Sequence, residues 1–115
     1  MDNNEPPVYR AAYELTLAIT RFVKDCPGEY KLTLGQRLQS EVLSMFNVVQ
    51  HVNERSNNAD KANDLQKALN QCFYLRMILR LMLDISIMKM ETSVALNFKI
   101  DDVAKQLTGW RKSML

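Results

Sequence analysis

The sequence predicts an all-α chain folded as an up-down-up-down antiparallel four-helix bundle. Three observations carry that expectation. Apolar residues recur at three- and four-residue steps along most of the chain, the mark of helices with one buried face. Helix breakers are scarce, with three glycines and three prolines in 115 residues, clustered only at Pro6-Pro7 and Cys26-Pro27-Gly28. Nothing reads as a strand, and no internal repeat is present.

Residues 1–7 read as a disordered tail, and 8–115 as one helical domain. The first helix is predicted at about 8–25. Its stripe is Val8, Ala11, Ala12, Leu15, Ala18, Ile19, Phe22 and Cys26, and Pro27-Gly28 stops it. The second is predicted at about 33–56. Thr33-Leu34-Gly35-Gln36 fits a capping box, in which a threonine hydroxyl and a glutamine side chain satisfy each other's free backbone amides. Its stripe is Leu34, Leu38, Val42, Met45, Val49 and Val52.

A polar turn, Asn53-Glu54-Arg55-Ser56-Asn57-Asn58, offers N-caps for a third helix at about 59–85. The fourth is predicted at about 87–112, with Ser86 as cap and Leu96, Ile100, Val103, Leu107, Trp110 and Met114 as its stripe. Short connections then make sequence neighbours antiparallel.

Composition bounds the class of protein. A chain of 115 residues with 47% hydrophobic and 24% charged residues can bury a core as one ordinary globular domain. The start, MDNNEPPVY, is acidic and polar, so no secretory signal is expected. No apolar run reaches the roughly 18 residues of a membrane span, so no membrane partner is expected. Cys26 and Cys72 are far apart and read as buried free thiols, which points to the cytoplasm.

Catalytic signatures are missing. A di-iron bundle needs two Glu-x-x-His motifs, and there is one histidine, His51, with Val48 three residues before it. No phosphate-binding glycine loop, zincin motif or nucleophile elbow occurs. Asp101-Asp102 are adjacent and point to different sides of a helix. Neither an enzyme, a cofactor nor a metal site is expected.

The third helix holds the most informative stretch, FYLRMILRLMLDI, residues 73–85. On a wheel of 100° per residue, Leu65, Ala68, Leu69, Cys72, Leu79 and Leu83 form the core stripe, with Arg76 inside it and Arg80 at its edge. The opposite side carries Tyr74, Met77, Ile78, Leu81 and Ile85, all apolar or aromatic. In the fourth helix Ile87, Met90, Val94 and Phe98 are likewise outward. A helix apolar all round is buried all round, and patches this large mark interfaces. The expected oligomer interface is therefore Tyr74, Met77, Ile78, Leu81, Ile85, Met90, Val94 and Phe98, joining copies of the chain. Arg80 has Asp84 at i+4 as a partner, and Arg76 needs an acid from elsewhere, with Glu14 or Glu41 as candidates.

Net charge is +2, with acids interleaved among the cations. Arg21, Lys24, Lys31, Arg37 and Lys89 come toward the end that holds the turn between the third and fourth helices. Arg10, Arg55, Lys61, Lys105, Arg111 and Lys112 come toward the other end. One protomer has no strong basic patch, but repetition in a ring builds a multivalent one.

Leu34-Gly35-Gln36-Arg37, Tyr74-Leu75-Arg76-Met77-Ile78-Leu79-Arg80-Leu81 and the closing Leu107-Thr108-Gly109-Trp110-Arg111-Lys112-Ser113 together resemble the Avd family. These are the accessory variability determinants of diversity-generating retroelements, within a wider four-helix-bundle group that includes proteins encoded in ribosomal-RNA intervening sequences. The resemblance covers about residues 8–113. It implies a homopentameric ring of bundles that binds the retroelement's reverse transcriptase and its template RNA, and the cDNA made from it, without being the polymerase. On this reading Arg37, Arg111 and Lys112, joined by Arg21 and Lys24, are the nucleic-acid or reverse-transcriptase contacts, and Trp110 is packing. The competing reading is an oligomeric scaffold for proteins that binds no nucleic acid.

Overall fold

The computed structural model describes residues 6–115. Four long helices make up most of it: α1 (Pro7–Lys24), α2 (Gln36–His51), α3 (Asn58–Asp84) and α4 (Met90–Ser113). There is no strand among the described residues. Of the tail expected at 1–7, residues 1–5 lie outside the described residues, and Pro7 is already helical. Proline suits that first position because its missing N–H would have had no partner there.

Each helix packs on two others, α1 on α2 and α4, α3 on α2 and α4. Cross-helix contacts show the directions. Gln39 Nε2 donates to Thr20 Oγ1 at 2.8 Å while Tyr13 meets Phe46 with ring centroids 6.0 Å apart, so α1 and α2 run oppositely. Arg37 reaches Tyr74 and Gln71 reaches Ser44, so α2 and α3 do too. Tyr9 meets Trp110 at 6.3 Å between centroids, placing the start of α1 beside the end of α4. The result is an antiparallel bundle of 44 × 26 × 22 Å.

The axis of this bundle is lined by apolar side chains. Leu15, Ile19, Leu38, Met45, Leu65, Leu75, Leu79, Ile100 and Leu107 are fully buried. Each large aliphatic side chain so placed contributes roughly 1.5–3 kcal/mol of transfer free energy. Trp110 is half-buried at the rim of this cluster. The i+3/i+4 stripes thus translate directly into the core.

The entry to α2 differs from the expectation. Helical structure begins at Gly28 and not at Thr33: Gly28–Tyr30 form one turn, Lys31–Gly35 a π-helical turn, and both run unbroken into α2. Pro27, with φ −54° and ψ 139°, is the residue before that helix and not merely the stop of α1. Thr33 Oγ1 donates to the Tyr30 carbonyl at 3.3 Å, so it back-bonds within the helix and caps nothing. The π turn arises where the Gln36 amide reaches back to the Lys31 carbonyl. Gly35 is buried there; a Cβ would stand 3.4 Å from the Tyr30 carbonyl oxygen and 3.5 Å from Val23 Cγ1. An added methyl there would sit in ordinary van der Waals contact with the end of α1. At its other end α2 stops at His51, and residues 52–54 wind into a 3₁₀ turn.

Asn57 caps α3, its Oδ1 accepting from the Asp60 amide at 2.8 Å. The α3–α4 connection also departs from the expectation. Ser86 does not cap α4. It stands at φ 66° and closes α3 in a Schellman motif, with Ser86 N–H donating to the Leu83 carbonyl and Ile87 N–H to the Met82 carbonyl, both at 3.0 Å. Met82 and Ile87 both belong to the apolar cluster, the hydrophobic contact such motifs carry. Helix α4 starts only at Met90, after Lys89.

Two predictions follow from this frame. Ser86→Gly removes a left-handed strain of about 1–2 kcal/mol but adds unfolded-chain entropy, for a net gain of about 0.5–1 kcal/mol in urea unfolding. Burial pushes the Cys72 thiol up to about 11 from 9.0, with nearby Arg76 opposing the shift. Because the folded protein holds this proton more tightly than the unfolded chain, stability is unaffected by the group below pH 9 and falls as pH rises from about 9 to about 11. Cys72→Ala should flatten that part of the stability–pH curve.

Candidate interaction surface

Helix α3 buries Leu65, Ala68, Leu69, Cys72, Leu75, Leu79 and Met82, yet its outer side is also apolar. Met77 is 68% exposed and Phe73 58%, with Tyr74, Leu81 and Ile85 exposed beside them. On α4, Phe98 is 75%, Met90 62% and Val94 61% exposed. The Arg76–Asp101 ion pair sets the register of the two helices. Counting one rise per residue in opposite directions from that pair, Phe98 is level with Leu79 and Arg80, and Val94 with Leu83 and Asp84. Met77, Leu81 and Ile85 of α3 therefore occupy the same height as Met90, Val94 and Phe98 of α4, toward the α3–α4 turn, with Phe73 and Tyr74 just beyond the ion pair.

One member of the predicted interface is elsewhere. Ile78 is buried, at 6% exposure. It lies seven residues from Gln71, which is also buried and whose Nε2 donates to Ser44 Oγ at 2.7 Å. That flank of α3 is covered by α2, and an idealised wheel without a neighbour places it outside. Conversely, Phe73 belongs to the exposed set and was not among the expected residues. Its four-residue spacing from Met77 is the signal that finds it.

The two arginines of this segment are paired. Arg80 Nε donates to both Asp84 carboxylate oxygens, at 3.1 and 3.0 Å. Arg76 pairs with Asp101 of α4 and not with Glu14 or Glu41, and its guanidinium sits 5.4 Å from the centre of the Phe73 ring. The apolar stem is half-buried at the edge of the core while the head leaves the bundle toward α4.

The expected contact residues do not form one site. Arg21 and Lys24 lie in the last turn of α1, where cations complement the helix dipole. Arg37, at the start of α2, donates from Nε to the Tyr74 hydroxyl at 3.2 Å and stacks 5.3 Å from that ring's centre. Arg111 and Lys112 are in the last turn of α4 at the opposite end. The Arg111 Nε is buried without a protein partner, and Lys112 is exposed. Along a bundle of this length, the two groups stand roughly 20 Å or more apart.

Other chemistry is sparse. Among the described residues no group of three His, Cys, Asp or Glu side chains could hold a metal ion. No helix among them is long and apolar enough to cross a membrane. Cys26 is buried, and burial raises its thiol pKa, with Lys31 opposing. A second apolar spot lies between the end of α1 and the start of α2, where Val23, Leu32 and Leu43 line a cleft of about 370 Å³; Leu32, in the π turn, is 78% exposed.

No protein-family model matches the chain, and no curated protein matches it in sequence. Among solved structures it is similar to a protein of unknown function from the S23 ribosomal protein family of Bacteroides thetaiotaomicron. The two superpose with a TM-score of 0.85 over 91% of this chain and 95% of that one, at 19% identity. The likeness is one of fold: a single bundle of nearly the same extent.

The placement of Arg76 gives a direct test. Its ion pair is partly solvated, with side-chain exposures of 30% and 67%, so it contributes no more than about 1 kcal/mol. Arg76→Leu should shift urea unfolding by less than about 1 kcal/mol, whereas a buried ion pair broken on one side would cost about 3–5 kcal/mol.

Proposed function

We propose that this protein is a non-enzymatic accessory subunit of a diversity-generating retroelement. Copies join through the exposed apolar faces of α3 and α4 into a ring, a pentamer on the Avd resemblance. The ring presents cations to the reverse transcriptase and to template RNA and its cDNA, and so supports mutagenic reverse transcription in the cytoplasm. The observation that carries this reading is the apolar surface on α3 and α4, which a bundle acting alone would leave in water.

Three further observations support it. The bundle fold is the one the resemblance implies, and the fold likeness to an S23 ribosomal family protein fits the same wider group. Arg37, from the Leu34–Arg37 stretch, has no carboxylate partner among the described ion pairs and is held by Tyr74, so its guanidinium retains donors for a phosphate or a carboxylate. Arg111 and Lys112, from the closing stretch, stand at the other end of the bundle. Separation of these groups suits two contacts at once, one for the polymerase and one for nucleic acid.

A second reading keeps the oligomer and drops the nucleic acid: a protein scaffold. It is favoured by the net charge of +2, low for a protein that holds many phosphates.

Co-purification with the reverse transcriptase and template RNA across a salt series separates the two. Phosphate-driven binding weakens steeply as salt rises. Arg37→Glu, Arg111→Glu and Lys112→Glu together should abolish the complex while circular dichroism still shows the full helical content. RNA binding that ignores salt, or that survives all three substitutions, contradicts the proposed contacts, and a wild-type chain that binds no RNA leaves the scaffold.

A further inference from the structure

Between the last turns of α1 and the start of α4 lies an open cleft of about 610 Å³. Its floor is apolar and half-buried: Ala18 and Phe22 from α1, and Ile87 from the α3–α4 turn. Its rim carries Arg21 and Lys89 as cations, Asp25 as the one carboxylate, and Thr92 as a hydroxyl. The ion pairs among the described residues involve Arg55, Arg76 and Arg80 only, so Arg21, Lys89 and Asp25 are free of one another and of any other charge partner there.

We propose that this cleft seats one nucleotide unit of a single-stranded nucleic acid, with its phosphodiester between Arg21 and Lys89 and its base or sugar on the Ala18–Phe22–Ile87 floor. This rests on the nucleic-acid reading above and assigns a place to it. The volume lies within the roughly 300–1,000 Å³ of ordinary ligand pockets. Two cations against one carboxylate leave one net positive charge, matched to the single negative charge of a phosphodiester. Inorganic phosphate has no base or sugar to lay on the apolar floor, so it uses only the charged rim. A base inside a duplex has no free face to lay on that floor, so a single strand is the ligand that uses both parts. Thr92 supplies a donor or an acceptor beside the phosphate.

The test uses the full chain, a fluorescent oligouridylate, its duplex with oligoadenylate, the dinucleotide UpU and inorganic phosphate. Oligouridylate should bind more tightly than the duplex, and UpU more tightly than inorganic phosphate. Arg21→Glu and Lys89→Glu should each weaken oligouridylate binding about tenfold at low salt, and Asp25→Asn should strengthen it, since all three act on the phosphate's field. These side chains are exposed, and circular dichroism checks that the helices persist. Oligouridylate binding that is unchanged by all three substitutions but falls with Arg37→Glu or Arg111→Glu overturns the cleft and leaves the wider reading standing. Equal affinity for duplex and single strand, or for UpU and phosphate, overturns the seating of a nucleotide. Absence of any oligouridylate binding by the wild-type chain overturns both.

Discussion

Helix α3 carries more apolar surface than one four-helix bundle can cover, and that excess shapes the rest of the molecule. Its inner side closes the core between α2 and α4 with Leu65, Leu75, Leu79 and Met82. Its outer side, from Phe73 to Ile85, leaves five large apolar or aromatic residues in water. Helix α4 repeats the pattern in its first half only: Met90, Val94 and Phe98 are exposed, then Asp101, Asp102 and Lys105 return the surface to water. On α4 the change occurs at the height of the Arg76–Asp101 pair, while on α3 the apolar surface continues past it to Phe73 and Tyr74.

Charge is fitted around that surface and not into the core. Arg76 and Arg80 cross the apolar segment on paired heads, one bound to α4 and one to its own helix. An interface that meets these ion pairs meets neutral, hydrogen-bonded groups, which are less costly to dehydrate than lone guanidinium ions. Most of the remaining cations lie toward the two ends of the bundle, while Lys67 and Lys99 stand along its length. Arg37 joins the two regions: its partner Tyr74 belongs to the outer face of α3, so the proposed assembly through that face and the proposed recognition by Arg37 would share a side chain.

Much of the fold is written in the i+3/i+4 spacing, because a helix stripe depends only on the local repeat. Leu38, Val42, Met45 and Val49 fall on one line in the sequence and are all fully buried. The helix starts were harder to read. Thr33 and Gln36 have the spacing of a capping box, but helical structure already runs from Gly28, because Pro27 can hold the extended conformation that precedes a helix. Ser86 resembles a cap by type, yet a left-handed residue after α3 satisfies two carbonyls at once. Contacts between helices were not legible at all. Asp101 as the partner of Arg76, Tyr74 under Arg37, and the coverage of Ile78 by α2 each depend on the rotation and height of a neighbouring helix, which a single stripe does not encode. The cleft formed by Arg21 and Lys89 is of the same kind, since it joins residues from opposite parts of the chain.

Assembly as proposed above requires further copies of the chain to cover the outer faces of α3 and α4. Light scattering at micromolar concentration measures this most directly, on the wild type and on a Met77→Glu, Phe98→Glu double substitution. The wild type should scatter with the mass of several 13.3 kDa chains, and the variant as a monomer with unchanged helical content. A wild-type chain that scatters as a 13.3 kDa monomer would contradict that assembly.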